Sequence, residues 1–410
     1  MSSTSVAIVG AGPYGLSLAA HLSARGVPFR IFGPPMQMWR EHMPAGMLMK
    51  SDGFACDLYD PERRFTLKRY CAERGIPYED TGLPVRLETF CDYGVAFQKA
   101  MVPSLTEQLV RAISRVDGCF RIEAAGGERV TAAAVVLATG ISHCPSLPEE
   151  LSSLPAELCS HSSAHHDLAK FRGRRVLVIG GGASATDLAA LLKAQGTDVS
   201  ILSRRPIEFH TRTDPATRTL WDRVRQPNFG LGPNFRSAMY TLFPNWFHLL
   251  PPELRLRITR RHLPPAAGYF VRHHVEGKVP LHSGYSILEA GRREGRAWLR
   301  CRHDSGMESE FVADHIIAAT GYRPSIDRLE MLDPAIRATL EREDDSPRLS
   351  RHFESNVRGL FFVGLSSANS FGPSMRFARG AEWTASRLSR HLAATVRQPR
   401  TQSSVAIATS

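Results

Sequence analysis

The chain has 410 residues, 43% hydrophobic and 22% charged, with a net charge of +11 at pH 7, which is the composition of a globular protein long enough for two domains. No apolar run reaches membrane-spanning length, and glycines break the N-terminal apolar stretch, so neither a spanning helix nor a signal peptide is expected. Seven scattered cysteines form no CxxC pair, which fits free thiols in a reducing cytoplasm and argues against a dithiol reductase.

In chain order, the first expected elements are a strand over Val6–Val9, a glycine turn Gly10-Ala11-Gly12-Pro13-Tyr14-Gly15, a helix over Leu16–Leu22 and a strand over Val27–Phe32. This is the context a dinucleotide fingerprint requires. Gly10 permits the tight turn, Gly12 lets backbone approach a pyrophosphate, and Gly15 lets the helix pack closely on the sheet. The helix N-terminus, from Pro13 and Tyr14 onward, offers N–H groups and a positive dipole end to phosphates. An acidic residue is expected after the second strand to hold a ribose, but Gly33-Pro34-Pro35 stand there.

The next informative run is Ala134–Leu137 with Ala138-Thr139-Gly140, a buried strand meeting a glycine turn. The fingerprint then repeats, 170 residues after the first. Val176–Ile179 leads into Gly180-Gly181-Gly182-Ala183-Ser184-Ala185, then a helix over Asp187–Lys193 and a strand over Asp198–Leu202. Ser203, Arg204 and Arg205 follow, with no acid. Arginines there suit the 2′-phosphate of NADPH, or form a solvated strand end. Two fingerprints on one chain imply two dinucleotides, a flavin (FAD) and a nicotinamide (NADPH), with electrons passing between them.

Residues 206–285 are rich in aromatics, proline and arginine and read as a mostly helical insertion. It is a substrate wall or lid, or a subdomain for packing or dimerisation. A second Ala-Thr-Gly turn, Ala319-Thr320-Gly321, ends the apolar run from Ile316, and Leu360–Val363 runs into Gly364. The expected fold is α/β, with two Rossmann-like three-layer dinucleotide-binding domains. The FAD-binding domain comprises 1–165 and 321–397. The NADPH-binding domain, 166–320, is inserted in it, and 398–410 form a disordered tail. The positive charge is spread widely, with no nucleic-acid motif, so no nucleic-acid or membrane partner is expected. A homo-oligomer stays open.

Taken together, these segments resemble the flavin-dependent monooxygenases with two dinucleotide domains, which include the flavin-containing monooxygenases and the N-hydroxylating ornithine and lysine monooxygenases. The resemblance covers most of the chain outside the tail and much of 206–285. It is carried further by Met47-Leu48-Met49-Lys50 with Asp57-Leu58-Tyr59-Asp60-Pro61 and Phe65-Thr66-Leu67, and by His161-Ser162-Ser163. Ala319–Tyr322, and Gly364-Leu365 with Asn369–Pro373, complete it. It implies a cytoplasmic, FAD- and NADPH-dependent oxidoreductase. That enzyme transfers one oxygen atom from a flavin hydroperoxide to a small-molecule nucleophile, foremost an amine nitrogen. Molecular oxygen is the co-substrate, and no metal is required. Two departures stand out. The Baeyer–Villiger pattern is absent before His161. Cys56 occupies the place of the lysine that lies near flavin and substrate in the N-hydroxylases.

Several residues keep two readings. Lys50 is a cation beside the flavin or a solvated loop lysine. Asn369 and Ser370 meet the flavin ring edge or form a polar turn. Trp39 lies beside the isoalloxazine or in the core, and His161 positions the nicotinamide or is structural. Two other functions stay open: an NADPH-dependent flavoprotein reductase serving another electron acceptor, and a non-catalytic NADPH-binding redox sensor.

Overall fold

The protein is described from a computed structural model, which covers residues 2–210, 221, 225, 228–232, 234–262 and 266–396. The expected tail and part of the expected insertion lie outside these residues.

Strands β1 (Ser2–Val9), β2 (Phe29–Phe32), β3 (Val110–Val116), β4 (Cys119–Ala124) and β5 (Arg129–Leu137) form the first sheet, in the order β2-β1-β5-β4-β3. The central strands read Val-Ala-Ile-Val and Ala-Val-Val-Leu, buried on both faces, as a helix-covered parallel sheet demands. The helix Pro13–Ala24 follows β1 with proline at its start and Gly12 as its N-cap.

The second sheet takes β6 (Cys159–His161), β7 (Arg175–Ile179), β8 (Asp198–Ser203), β9 (Leu281–Ser283) and β13 (His315–Ala318), all parallel, in the order β6-β13-β7-β8-β9. Thus β6, which a division at residue 165 leaves with the first half, is hydrogen-bonded into the second. Between β9 and β13 lies an antiparallel sheet of β10 (Tyr285–Arg293), β11 (Arg296–His303) and β12 (Glu308–Ala313). Its alternating side chains place Ala297, Leu299 and Cys301 on the core of the second sheet.

The chain then returns to the first half through the short pair β14 (Arg342–Glu343) and β15 (Ser346–Pro347), and β16 (Leu360–Phe362) pairs with β5. The C-terminal helix Gly380–Val396 packs along Pro13–Ala24. The insertion between β8 and β9 contains the helices Phe235–Leu242, Pro244–His248, Pro252–Arg261 and Arg272–Val275.

Candidate dinucleotide and substrate cleft

The two glycine loops are built on one plan. Gly10 has φ +112° and Gly180 has φ +142°, a region open to glycine. Gly10 N donates to Phe32 O at 2.8 Å and Gly180 N to Leu202 O at 2.9 Å. Each loop is crossed by an Ala-Thr-Gly turn. A Cβ on Gly10 would stand 2.4 Å from Ala138 O, and one on Gly180 would stand 2.4 Å from Ala319 O. Those turns continue at Gly140 (φ +60°) and Gly321 (φ +84°), both open around the Cα.

Gly12 and Gly182 are the N-caps of the two helices, and no side chain caps either. A Cβ on Gly12 would meet nothing within 4 Å. Uncapped helix N-termini fit a pyrophosphate at each loop, with Gly12 open at the first. Ala183 and Ser184 open the second helix, and Arg204 and Arg205 are exposed and unpaired among the described residues at the end of β8. They are free to take a further phosphate. At the first loop, where an acid was expected, Gly33 has φ +124° and its N donates to Thr106 O at 3.0 Å.

Other expected site residues have local engagements. The Tyr14 hydroxyl faces two carbonyls, Met375 O at 3.0 Å and Phe377 O at 2.9 Å, and its ring lies under Gly364. Its hydroxyl therefore ties the C-terminal segment to the first helix and leaves only backbone for a ligand. Trp39 packs edge-on to Phe90 at 5.0 Å, against the core. The side chain of Asn369 donates to Glu343 O at 3.1 Å, while the Ser370 hydroxyl is buried without a partner. His161 accepts from Ser163 N at Nδ1 and so donates from Nε2 to Gly321 O at 3.0 Å, and burial lowers its pKa. It stitches the β6 linker to the second Ala-Thr-Gly turn. Cys56 is fully buried, and burial holds its thiol far above the ordinary range, so this place supplies no charge.

Lys50 does reach the junction of the two halves. Gly46 lies against Leu191 of the helix Ala183–Ala194, and four residues on, Lys50 is coupled to Asp187, one turn nearer that helix's N-terminus. Lys50 Nζ donates to Ala266 O of the insertion at 2.7 Å. Water reaches Lys50, yet protein surrounds most of it. This enclosure lowers its pKa to about 8, with Asp187 opposing the shift and Arg376 adding to it. Burial raises Asp187 to about 7 against the pull of Lys50. The pair is thus a cation and a carboxyl that both exchange protons near neutrality. Sequence inspection had placed Asp187 only as a helix residue. The available signal was a lone carboxylate at the start of an otherwise apolar helical run.

The insertion springs from the second sheet but lies on the first half. Asn228 Nδ2 donates to Asp52 at 2.9 Å, Ser374 Oγ to Tyr240 O at 3.0 Å, and Tyr269 OH to Gly82 O at 2.8 Å. Arg255 pairs with Glu343 at 2.8 Å, both buried. The insertion therefore bridges the two halves, with Ala266 held by Lys50.

A sequence profile of the pyridine nucleotide-disulphide oxidoreductase family matches residues 4–229. The chain is 28% identical over 350 residues to indole-3-pyruvate monooxygenase YUCCA1 of Oryza sativa subsp. japonica, covering 78% of this chain and 77% of the relative. It is 26% identical over 218 residues to a ferredoxin–NADP reductase of Thermus thermophilus, spanning 54% of that protein's length. Its fold is similar to that of the ornithine N-hydroxylase of Kutzneria sp. 744, with a TM-score of 0.77 at 17% identity over 96% of this chain and 99% of that one.

Proposed function

The chain belongs to the pyridine nucleotide-disulphide oxidoreductase family, and within it we propose an FAD- and NADPH-dependent monooxygenase that oxygenates a small-molecule nucleophile, foremost an amine nitrogen. The observation that carries this reading is the roofed junction. The insertion docks on the first half, and its Ala266 carbonyl is held by Lys50, beside Asp187 of the second fingerprint helix. An insertion that bridges the two halves is placed to limit bulk water during oxygen transfer to a small molecule. The likeness to a plant monooxygenase over most of both chains supports the same class.

FAD is assigned to the loop Gly10–Gly15, with Gly140, Gly364 and the backbone around Asn369 and Ser370 lining its course. NADPH is assigned to Gly180–Ser184, with Arg204 and Arg205 on its 2′-phosphate. Held by these loops, the nicotinamide would supply reducing equivalents and the flavin the oxygen-activating chemistry. The residues hold, orient and shield. The helix N-termini fix the pyrophosphates. Lys50 Nζ places a positive charge at the junction while it stays protonated, and gives up that proton near pH 8. Asp187 offers a carboxyl able to take a proton from a nearby amine. The segment keeps a cation, at Lys50 and not at the Cys56 place.

We assign 1–158 and 321–397 to the flavin half and 159–320 to the nicotinamide half, following the pairing of β6. A reductase reading has the partial likeness to ferredoxin–NADP reductases behind it. One experiment separates the two. NADPH-driven oxygen uptake is measured over a panel of amines and sulfides, with hydrogen peroxide and oxygenated product both assayed. Uptake that depends on an amine and yields hydroxylamine supports the monooxygenase. Peroxide alone with every compound, together with fast reduction of an added ferredoxin, supports the reductase.

A further inference from the structure

The insertion is apolar on the side it buries and apolar again on the side it exposes. On the helix Pro244–His248, Phe247 is fully buried and packs over Gly372. Around it Phe243, Trp246 and Leu249 are 52%, 50% and 79% exposed. Trp246 N donates to Phe243 O and Leu249 N to Trp246 O, so the three follow one another at successive three-residue turns. Phe235, Leu242 and Leu254 extend the apolar surface. Six of the twelve large exposed apolar side chains among the described residues fall within 235–254, so this is a concentrated face and not scatter.

The charge that residues 234–262 bring to it is mostly positive, with Arg260 paired to Asp344 at 2.9 Å. Arg236, Arg257 and Arg261 are exposed and unpaired among the described residues, whereas the sole acid within 234–262 is Glu253. A second copy laid on this face would set one arginine group against another, with Glu253 as the one carboxylate that residues 234–262 offer to offset them. An anionic surface meets both features, because protruding Trp, Phe and Leu side chains enter the acyl boundary while arginines take phosphate headgroups.

We propose that the apolar group Phe243, Trp246 and Leu249, flanked by Arg236, Arg257 and Arg261, seats the protein on an anionic lipid surface. The sequence alone gave no membrane partner, and no described helix is long and apolar enough to cross a bilayer. A pair of short helices lying on the surface needs no such span.

The test is flotation of the flavin-loaded full chain with vesicles of phosphatidylcholine alone and of phosphatidylcholine with phosphatidylglycerol, at low and high ionic strength. Retention by the anionic vesicles and its loss at high salt are expected. Trp246→Glu with Leu249→Glu should abolish retention while flavin content and NADPH-driven flavin reduction stay at the wild-type level. Arg257→Gln or Arg261→Gln should each weaken retention about fivefold. The proposal is overturned if the wild type ignores anionic vesicles or if the double variant floats as well as the wild type. It is also overturned if sedimentation shows a dimer that the double variant renders monomeric.

Discussion

At the first glycine loop the third position is Gly15, where an added Cβ would stand 1.9 Å from Gly10 O. At the second it is Ala185, whose own methyl is seated beside Gly180. The remaining plan is shared: positive φ at the first glycine, an uncapped helix behind it, and an Ala-Thr-Gly turn across the top. One methyl group therefore measures the difference in how closely each helix approaches its loop. The first unit is drawn tight around its ligand site. The second stands off, and in the proposed function Arg204 and Arg205 beyond β8 would supply part of its grip.

The largest expected effect tests that tightness. Gly15→Ala should cost about 3 kcal/mol or more, since backbone and not a flexible side chain blocks the new atom. The purified variant should lack flavin, read from its visible absorbance, and melt earlier. Gly180→Ala, whose Cβ would meet Ala319 O, should retain flavin yet lose NADPH binding. Loss of flavin in both variants would mean that the loops are not separate sites.

Arg204→Ala with Arg205→Ala should lower the preference for NADPH over NADH by roughly 10- to 100-fold, seen in the two dissociation constants, with flavin content unchanged. An unchanged preference would place the 2′-phosphate elsewhere.

Asp187→Asn comes next. The folded chain keeps this proton to about pH 7, whereas the unfolded chain releases it near 3.8. Folding is thus penalised as pH rises from about 4, and fully so above 7. The variant should be about 1–2 kcal/mol more stable than wild type at pH 8 and no more stable at pH 4, by urea melts at the two values. Lys50 acts on the other side, because its lowered pKa means that the penalty on its charged form is lifted as pH climbs past about 8. The smallest effect is Ala185→Gly, which should cost roughly 0.5–1 kcal/mol by helix propensity, with both cofactors retained.

Much of this was legible in the sequence because both loops depend on local patterns. Strand, glycine turn and helix are adjacent, and only glycine tolerates φ near +112° at position 10. The antiparallel sheet β10–β12 was missed although Arg296–His303 alternates regularly, because the pattern of its partner Tyr285–Arg293 is broken by a register shift between Ile287 and Glu289. The seat of the insertion was not legible at all. Lys50 with Ala266, or Arg255 with Glu343, are contacts between segments about 90 to 216 residues apart, and neither partner's neighbours announce the other. For the same reason Tyr14 read as a ligand contact, while its hydroxyl closes on the short helical turn Pro373–Arg376 and Phe377, more than 360 residues away.

The pairing of β16 with β5, and of the C-terminal helix with the first, bears on the order in which the chain is made. The second half is continuous from β6 to β13, so all its strands have been synthesised by residue 318. The first half is begun at residue 2 but cannot be closed until Leu360–Phe362 and Gly380–Val396 emerge. A nascent chain stalled after β13 should therefore already hold NADPH, while the flavin site, started first, is completed last.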